Sequence, residues 1–201
     1  PGDTIEYTIQ VINDGSGSAT TTTTDTLSSL FSSKVCNGSP GNLNVTATIP
    51  SGGSASYTCS GVVNPALLPT LEVTAPAVLV VGQTAVYTVT VSNPTSASIV
   101  GLETVITAVG TCTPDPLQAV TLAPGAHIDY VCSAVVPGGI FWINADAMGY
   151  VFILNSASAS APQDSRGTQT SNTTSTRVVV EEDVYFNQAT VRAVYLPIIT
   201  R

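Results

Sequence analysis

Residues 1–13 read PGDTIEYTIQVIN, and residues 81–93 read VGQTAVYTVTVSN. In both stretches apolar and polar residues alternate, which is typical of a β-strand with one buried face. Turn-forming residues follow each stretch. Six positions are identical at an offset of 80 residues: Gly2 and Gly82, Thr4 and Thr84, Tyr7 and Tyr87, Thr8 and Thr88, Val11 and Val91, Asn13 and Asn93.

A second pair of segments shows that the repeat extends beyond one strand. Residues 54–63 (SASYTCSGVV) match residues 127–136 (HIDYVCSAVV), which pairs Tyr57 with Tyr130 and Cys59 with Cys132. The same order of matches with a drifting offset indicates two copies of one supersecondary plan with different loops. The sequence therefore predicts an all-β protein with two tandem immunoglobulin-like β-sandwich domains and a C-terminal β-strand tail.

The domain boundaries follow from the repeat and from composition. We predict domain 1 over residues 1–69, domain 2 over 70–162, a polar linker over 163–176 and the strand tail over 177–201. Domain 1 is short of strands, because it has no counterpart to LEVTAP (residues 71–76) or to GGIFWINADAMGYVFIL (residues 138–154).

The repeated pattern of Gly, Thr, Tyr-Thr, Val and Asn resembles the repeated immunoglobulin-like domain family of large bacterial and archaeal cell-surface proteins. LAPGAHIDYVC (residues 122–132) adds to the resemblance, which covers about residues 1–162. It implies a stalk, an adhesin spacer or a cell-envelope fibre, and it carries over no catalytic residue.

Charge and hydropathy exclude two classes of partner. The chain has 5 basic and 13 acidic residues, a net charge of -8, so it offers no basic patch for nucleic acid. No uncharged apolar run approaches the ~20 residues that cross a bilayer, so we expect no membrane span.

The four cysteines indicate in which cellular compartment the protein is found. Each predicted domain holds one pair, and neither pair has the CxxC spacing of a zinc or redox site. We predict the disulfides Cys36 to Cys59 and Cys112 to Cys132, and hence a secreted protein outside the cell or on its surface. Four free buried thiols in a cytosolic protein are the alternative.

The sequence offers little catalytic chemistry. His127 is the single histidine and lies beside a predicted turn, and Lys34 is the single lysine, which leaves at most one isopeptide crosslink. Glu181, Glu182 and Asp183 form an acidic run that suits a solvated strand or, at most, a loosely held Ca²⁺. We therefore predict no catalytic residue, no cofactor, no tightly bound metal and no enzymatic activity.

Two features of the sequence indicate a relation to carbohydrate. Trp142 fits either a sheet aromatic or a sugar-stacking platform, so a surface glycan or a host receptor is a candidate partner. Asn44 and Asn172 begin glycosylation-type sequons.

The C-terminal tail suggests self-assembly. We expect its apolar side chains to complete the strand-deficient domain 1 of an adjacent copy, which would build a homopolymeric filament or surface fibre. An intramolecular return of the tail is the main rival. A spacer or adhesin module of a longer stalk is the alternative function, and a carbohydrate-binding module is a third. The expected donor-strand residues are Val178, Val180, Val184, Phe186, Val191, Ala193 and Tyr195.

The disulfide pairing is directly testable. We expect non-reducing peptide mapping to recover both bonds, each inside its own domain. Reduction should lower the free energy of unfolding by about 3 kcal/mol per bond, because loops of this size restrict the unfolded chain. A bond between the two halves, or four free thiols, would contradict the pairing and the inferred compartment.

Overall fold

The computed structural model describes residues 1–107, 110–138, 141–162, 167–171 and 173–188. Within them the chain is all-β without a helix, which confirms the predicted fold class; no helix is therefore available there to span a bilayer. The strands are β1 (Thr4–Ile12), β2 (Ala19–Asp25), β3 (Phe31–Cys36), β4 (Ser39–Pro40), β5 (Leu43–Ile49), β6 (Ser54–Val63), β7 (Thr70–Thr74), β8 (Thr84–Ser92), β9 (Ile99–Thr107), β10 (Thr111–Thr113), β11 (Val120–Leu122), β12 (His127–Val135), β13 (Phe141–Asn155), β14 (Ala157–Ser160), β15 (Gln169–Thr170) and β16 (Thr174–Gln188).

The strands form four sheets, with the orders β1-β6-β3-β4, β15-β14-β2-β5, β10-β12-β8-β7 and β11-β9-β13-β16. The chain divides into two compact units. Unit 1 contains Pro1–Leu67 and Phe152–Val178, and unit 2 contains Leu68–Val151 and Val179–Arg201. Inward-facing apolar side chains form the core of each unit, among them Leu43 and Val63 in unit 1 and Val89 and Ile143 in unit 2.

The internal repeat has the same strand register in both units. In unit 1, β1 pairs antiparallel with β6 and sets Tyr7 opposite Cys59. In unit 2, β8 pairs antiparallel with β12 and sets Tyr87 opposite Cys132. A one-residue slip would move every side chain to the other face of the sheet, so the shared register preserves the buried face of both strands.

Both predicted disulfides are present, and each joins neighbouring strands of one sheet. Cys36 in β3 lies opposite Cys59 in β6 and is bonded to it. Cys112 in β10 lies opposite Cys132 in β12 and is bonded to it. The two bonds occupy equivalent places in the two units.

The unit boundaries differ from the predicted domain boundaries. Residues 157–160, expected at the end of domain 2, form β14, which pairs antiparallel with β2 of unit 1. Part of the expected polar linker forms β15, whose Gln169 and Thr170 pair with β14. These strands stand where β13 and β16 stand in the corresponding sheet of unit 2. The alternating Ser and Ala residues of β14 fit a strand although they carry no large apolar side chain.

The first part of the expected donor tail pairs inside its own chain. β16 is the sheet neighbour of β13, in the sheet that also holds β9. This differs from the expected pairing with domain 1 of another copy. The segment between β13 and β16 contains β14 and β15. Val178 and Val180 are buried and Val184 is half-buried, while Val191, Ala193, Tyr195 and the side chain of Phe186 lie outside the described residues.

A repeated buried asparagine fixes the turn that follows the first strand of each repeat. The Asn93 side-chain amide donates to the carbonyls of Ala97 (2.8 Å) and Leu122 (2.9 Å). Asn13 donates in the same way to Gly17 (2.8 Å) and Ile49 (2.9 Å). A buried carbonyl without a donor is costly, so this side chain links the turn to the facing strand in both units.

We expect Asn93→Ala to lower the free energy of unfolding by about 1–3 kcal/mol, because two carbonyls lose their donor in a buried site. Urea unfolding of the oxidised protein measures this loss. Asn44→Ala, at an exposed position of β5, is the matched control and should stay within about 0.5 kcal/mol of the parent protein. Equal effects of the two substitutions would contradict this role for Asn93.

Candidate functional site

The single histidine lies beside a carboxylate at the surface. His127 Nε2 lies 3.9 Å from Asp129 Oδ2, and both side chains are exposed. The nearby hydroxyl of Thr90 donates to Asp129 at 2.7 Å and not to the imidazole. This geometry links a carboxylate to its strand neighbour and does not form the nucleophile-to-base contact of a hydrolase.

One group of potential metal ligands occurs among the described residues. Asp25, Cys36 and Cys59 bring one ligand atom each within 4.8 Å of one another, and all three are buried. Both sulfur atoms belong to the same disulfide, so neither is the thiolate that binds a metal. The group therefore packs the unit 1 core beside a disulfide.

Lys34 contacts a backbone carbonyl, and the acidic residues 181–183 belong to β16. Lys34 Nζ donates to the backbone carbonyl of Leu27 at 2.9 Å, which places it in a turn contact. Glu181 is exposed and Glu182 is half-buried in β16, and the side chain of Asp183 lies outside the described residues. Consecutive residues in a strand face opposite sides of the sheet, so Glu181 and Glu182 do not converge on one ion.

The candidate carbohydrate positions are on the surface. Trp142 is 54% exposed on β13, so it is a sheet-face aromatic and not a core residue. Asn44 is exposed on β5, and Asn172 lies outside the described residues.

The clearest difference between the two units lies at the outer edge of their first strands. In unit 2, β7 pairs antiparallel with β8 and sets Leu71 opposite Val91 and Val73 opposite Val89. In unit 1, β1 is the end strand of its sheet, with β6 as its one sheet neighbour among the described residues. An end strand presents a row of backbone donors and acceptors that another strand can pair with.

The apolar side chains of β8 are more buried than the equivalent side chains of β1. In β8, Ala85, Tyr87, Val89 and Val91 are all buried. Their counterparts in β1, which are Ile5, Tyr7, Ile9 and Val11, are only half-buried. Ile12, at the end of β1, is 63% exposed. Apolar side chains at the β1 edge thus keep contact with water that a neighbouring strand would remove.

A groove runs beside this edge in unit 1. It has a volume of about 250 Å³ and is lined by residues 9–12 of β1, Thr21 and Thr23 of β2, and residues 157–161 and 169–171. This volume is below the ~300–1,000 Å³ usual for small-molecule sites, and the lining is strand backbone with short side chains. The groove suits the side chains of an added strand better than a cofactor. We call β1 and this groove the acceptor edge.

A polar bridge crosses the core of unit 1 behind the acceptor edge. The Tyr7 hydroxyl in β1 donates to Asp25 Oδ2 at the end of β2, and Asn155 Nδ2 donates to the same oxygen at 3.3 Å. In unit 2 the equivalent Tyr87 packs edge-on against Phe141, with ring centroids 6.1 Å apart. The bridge ties the two sheets of unit 1 together through the strand that forms the acceptor edge.

No family model matches this chain, and no curated protein matches it significantly.

Sequence reasoning predicted that domain 1 is short of strands but did not locate the acceptor edge or the Tyr7 bridge. LEVT (residues 71–74) precedes the second copy of the repeat and supplies β7, the strand that pairs with β8. Asp25 ends a run of threonines, and nothing in that local pattern indicates that its carboxylate is buried.

The bridge predicts a pH dependence. Burial, reinforced by the hydrogen bond and the negative charge of Asp25, raises the pKa of Tyr7 well above its ordinary value of about 10. The folded state therefore holds this proton more tightly, and the stabilisation is complete below pH ~10 and lost as pH rises further.

We expect the free energy of unfolding to fall less steeply above pH ~10 in Tyr7→Phe than in the parent protein. At pH 7 the same substitution should cost about 1–3 kcal/mol, because Asp25 loses a donor in a buried site. Denaturant unfolding from pH 7 to 11 measures both effects. Tyr150→Phe is the control in unit 2. Parallel pH profiles for the parent protein and Tyr7→Phe would contradict the bridge.

Proposed function

We propose that this chain is an extracellular structural protein whose copies join into a filament or surface fibre by adding a β-strand to unit 1. The observation that carries the proposal is the acceptor edge. Among the described residues, β1 has one sheet neighbour, β6, whereas the equivalent strand β8 of unit 2 has two, β7 and β12.

Strand addition has a clear physical basis at this edge. An incoming strand gains main-chain hydrogen bonds along β1 and covers the half-buried side chains of Ile9 and Val11. Each large apolar side chain taken fully out of water contributes about 1.5–3 kcal/mol before ordering costs. A contact that uses two different surfaces of one molecule repeats from copy to copy and gives an open fibre when its rotation does not close a ring.

The remaining features fit a structural role outside the cell. Two disulfides staple equivalent strand pairs, which suits an oxidising compartment. Threonine ladders cover the outer face of the β2 and β5 pair: Thr20 and Thr22 lie 3.0 Å from Thr48 and Thr46, oxygen to oxygen. Such a surface is solvated and weakly charged, as in an exposed fibre.

A spacer module in a longer stalk is the rival, and it makes a different use of the same edge. There, a strand preceding Pro1 in the same polypeptide covers β1 permanently, as β7 covers β8. Assembly of the native polypeptide separates the two functions, because the fibre subunit keeps the acceptor edge open there and the spacer covers it.

The test adds to the same chain a strand that can pair with the acceptor edge. In unit 2 the segment over residues 70–80 supplies β7 and its connection to the next strand. We expect a copy of this segment fused before Pro1 to pair with β1, to raise the free energy of unfolding, and to abolish fibres seen by electron microscopy. The parent protein should form fibres under the same oxidising conditions.

A matched control carries serine in the fused segment at the positions copied from Leu71 and Val73. It should leave assembly intact, because the added strand loses the side chains that cover Ile9 and Val11. Monomeric parent protein would contradict the filament proposal and favour the spacer. Fibres that persist with the fused segment would show that the acceptor edge is not the joint.

A further inference from the structure

We propose that Asp25, Cys36 and Cys59 bind a thiophilic divalent cation such as Zn²⁺ when the disulfide between the two cysteines is reduced. The core of unit 1 then holds either this disulfide or a metal ion. The site lies within unit 1 and is independent of whether copies of the chain assemble, so its failure leaves the proposed function untouched.

The two cysteines are placed to bind one ion together. Cys36 in β3 and Cys59 in β6 lie directly opposite each other, with their Cα atoms 4.1 Å apart, and both are buried. Directly opposite residues of paired strands project from the same face of the sheet. Reduction therefore leaves two thiols side by side in the core, and loss of their protons gives the thiolates that zinc prefers.

Asp25 supplies a third ligand from the other sheet of unit 1. Its side chain is 2% exposed, and one of its carboxylate oxygens and the two sulfur atoms all lie within 4.8 Å of one another. Sulfur and oxygen ligands of a tetrahedral Zn²⁺ are ~3.5–3.8 Å apart at the usual bond lengths. The Asp25 oxygen thus needs a shift of about 1 Å to reach an ion held by both thiolates.

One oxygen of Asp25 lacks a hydrogen-bond partner. Tyr7 and Asn155 both donate to Oδ2, whereas Oδ1 is buried and accepts no hydrogen bond. A buried carboxylate oxygen without a donor or a cation is costly. Oδ1 can bind a cation while Oδ2 keeps its two donors, and donors of this kind orient the ligands of metal sites.

The equivalent disulfide in unit 2 lacks this third ligand. Cys112 and Cys132 also lie opposite each other on paired strands. In the part of the chain that the structure describes, no His, Asp or Glu side chain forms a group of metal ligands with them. Two thiolates alone fill half of a four-coordinate zinc site. The unit 2 pair is therefore a control within the same chain.

Exchange between the disulfide and the metal is balanced in electrons and protons. Two molecules of a small thiol donate two electrons to the protein disulfide and become one small-molecule disulfide. The divalent ion then displaces one proton from each cysteine thiol. In an oxidising compartment a small-molecule disulfide takes the two electrons back, its two sulfur atoms leave as thiols, and the ion is released.

Cobalt binding tests the site. We expect protein that has been reduced with a phosphine, and then separated from it, to bind one Co²⁺ per chain with thiolate-to-cobalt charge-transfer absorption. Cys112→Ser with Cys132→Ser should keep this absorption, and Cys36→Ser with Cys59→Ser should lose it. Asp25→Asn keeps the size of the side chain and should weaken Co²⁺ binding by more than about tenfold. The oxidised parent protein should show no such absorption.

Oxidation rates give a second measurement that needs no substitution. We expect Zn²⁺ to slow oxidation of the Cys36 and Cys59 pair by oxidised glutathione about tenfold, because a metal-bound thiolate is not free to attack a disulfide. The rate for Cys112 and Cys132, followed by peptide mapping of the same samples, should not change.

Equal effects of Zn²⁺ on the two pairs would overturn the site. This includes the case in which the reduced chain unfolds, because the two pairs then no longer differ in their surroundings. Co²⁺ absorption that is unchanged in Asp25→Asn, or that disappears with the unit 2 cysteines, would also overturn it.

Discussion

Backbone hydrogen bonding at sheet edges is the constraint on which this structure depends. Each strand of an antiparallel sheet has two edges, and a sandwich is stable when its apolar face is covered and its edges are paired or solvated. Unit 2 meets this requirement along β8 with β7 on one side and β12 on the other. Unit 1, in the part of the chain that the structure describes, meets it on one side of β1 only, through β6.

The internal repeat allows the burial of β1 and of β8 to be compared within one molecule. Both copies keep the same register, the same disulfide position and the same asparagine at the turn, so the scaffold is held constant. What varies is the coverage of one strand, and burial varies with it: Val89 is 0% exposed, whereas its counterpart Ile9 is half-buried. In the other sheet of unit 1, the four-residue strand β14 pairs with β2. A short strand from a distant part of the chain therefore extends this sheet.

Sequence patterns predicted the parts of the structure that large alternating side chains and cysteines define. The first strand of each repeat was predictable from the apolar residues that alternate around Tyr7 and Tyr87. Both disulfides were predictable from the cysteine spacing. β14 escaped prediction because its alternation is between Ala and Ser, which differ little in hydropathy. The partner of β16 escaped because alternation defines a strand and its buried face but not the strand beside it. The acceptor edge becomes visible only when the sheet neighbours of β1 and β8 among the described residues are compared.

Amide hydrogen exchange tests the central claim most directly, since it reports whether each backbone N–H is paired. The measurement compares β1 and β8 in the monomeric and the assembled protein. The account predicts that β1 amides on the edge away from β6 exchange faster than the equivalent β8 amides in the monomer and become protected on assembly, while β8 is unchanged. Equal protection of β1 and β8 in the monomer, or no gain of protection in β1 on assembly, would contradict it.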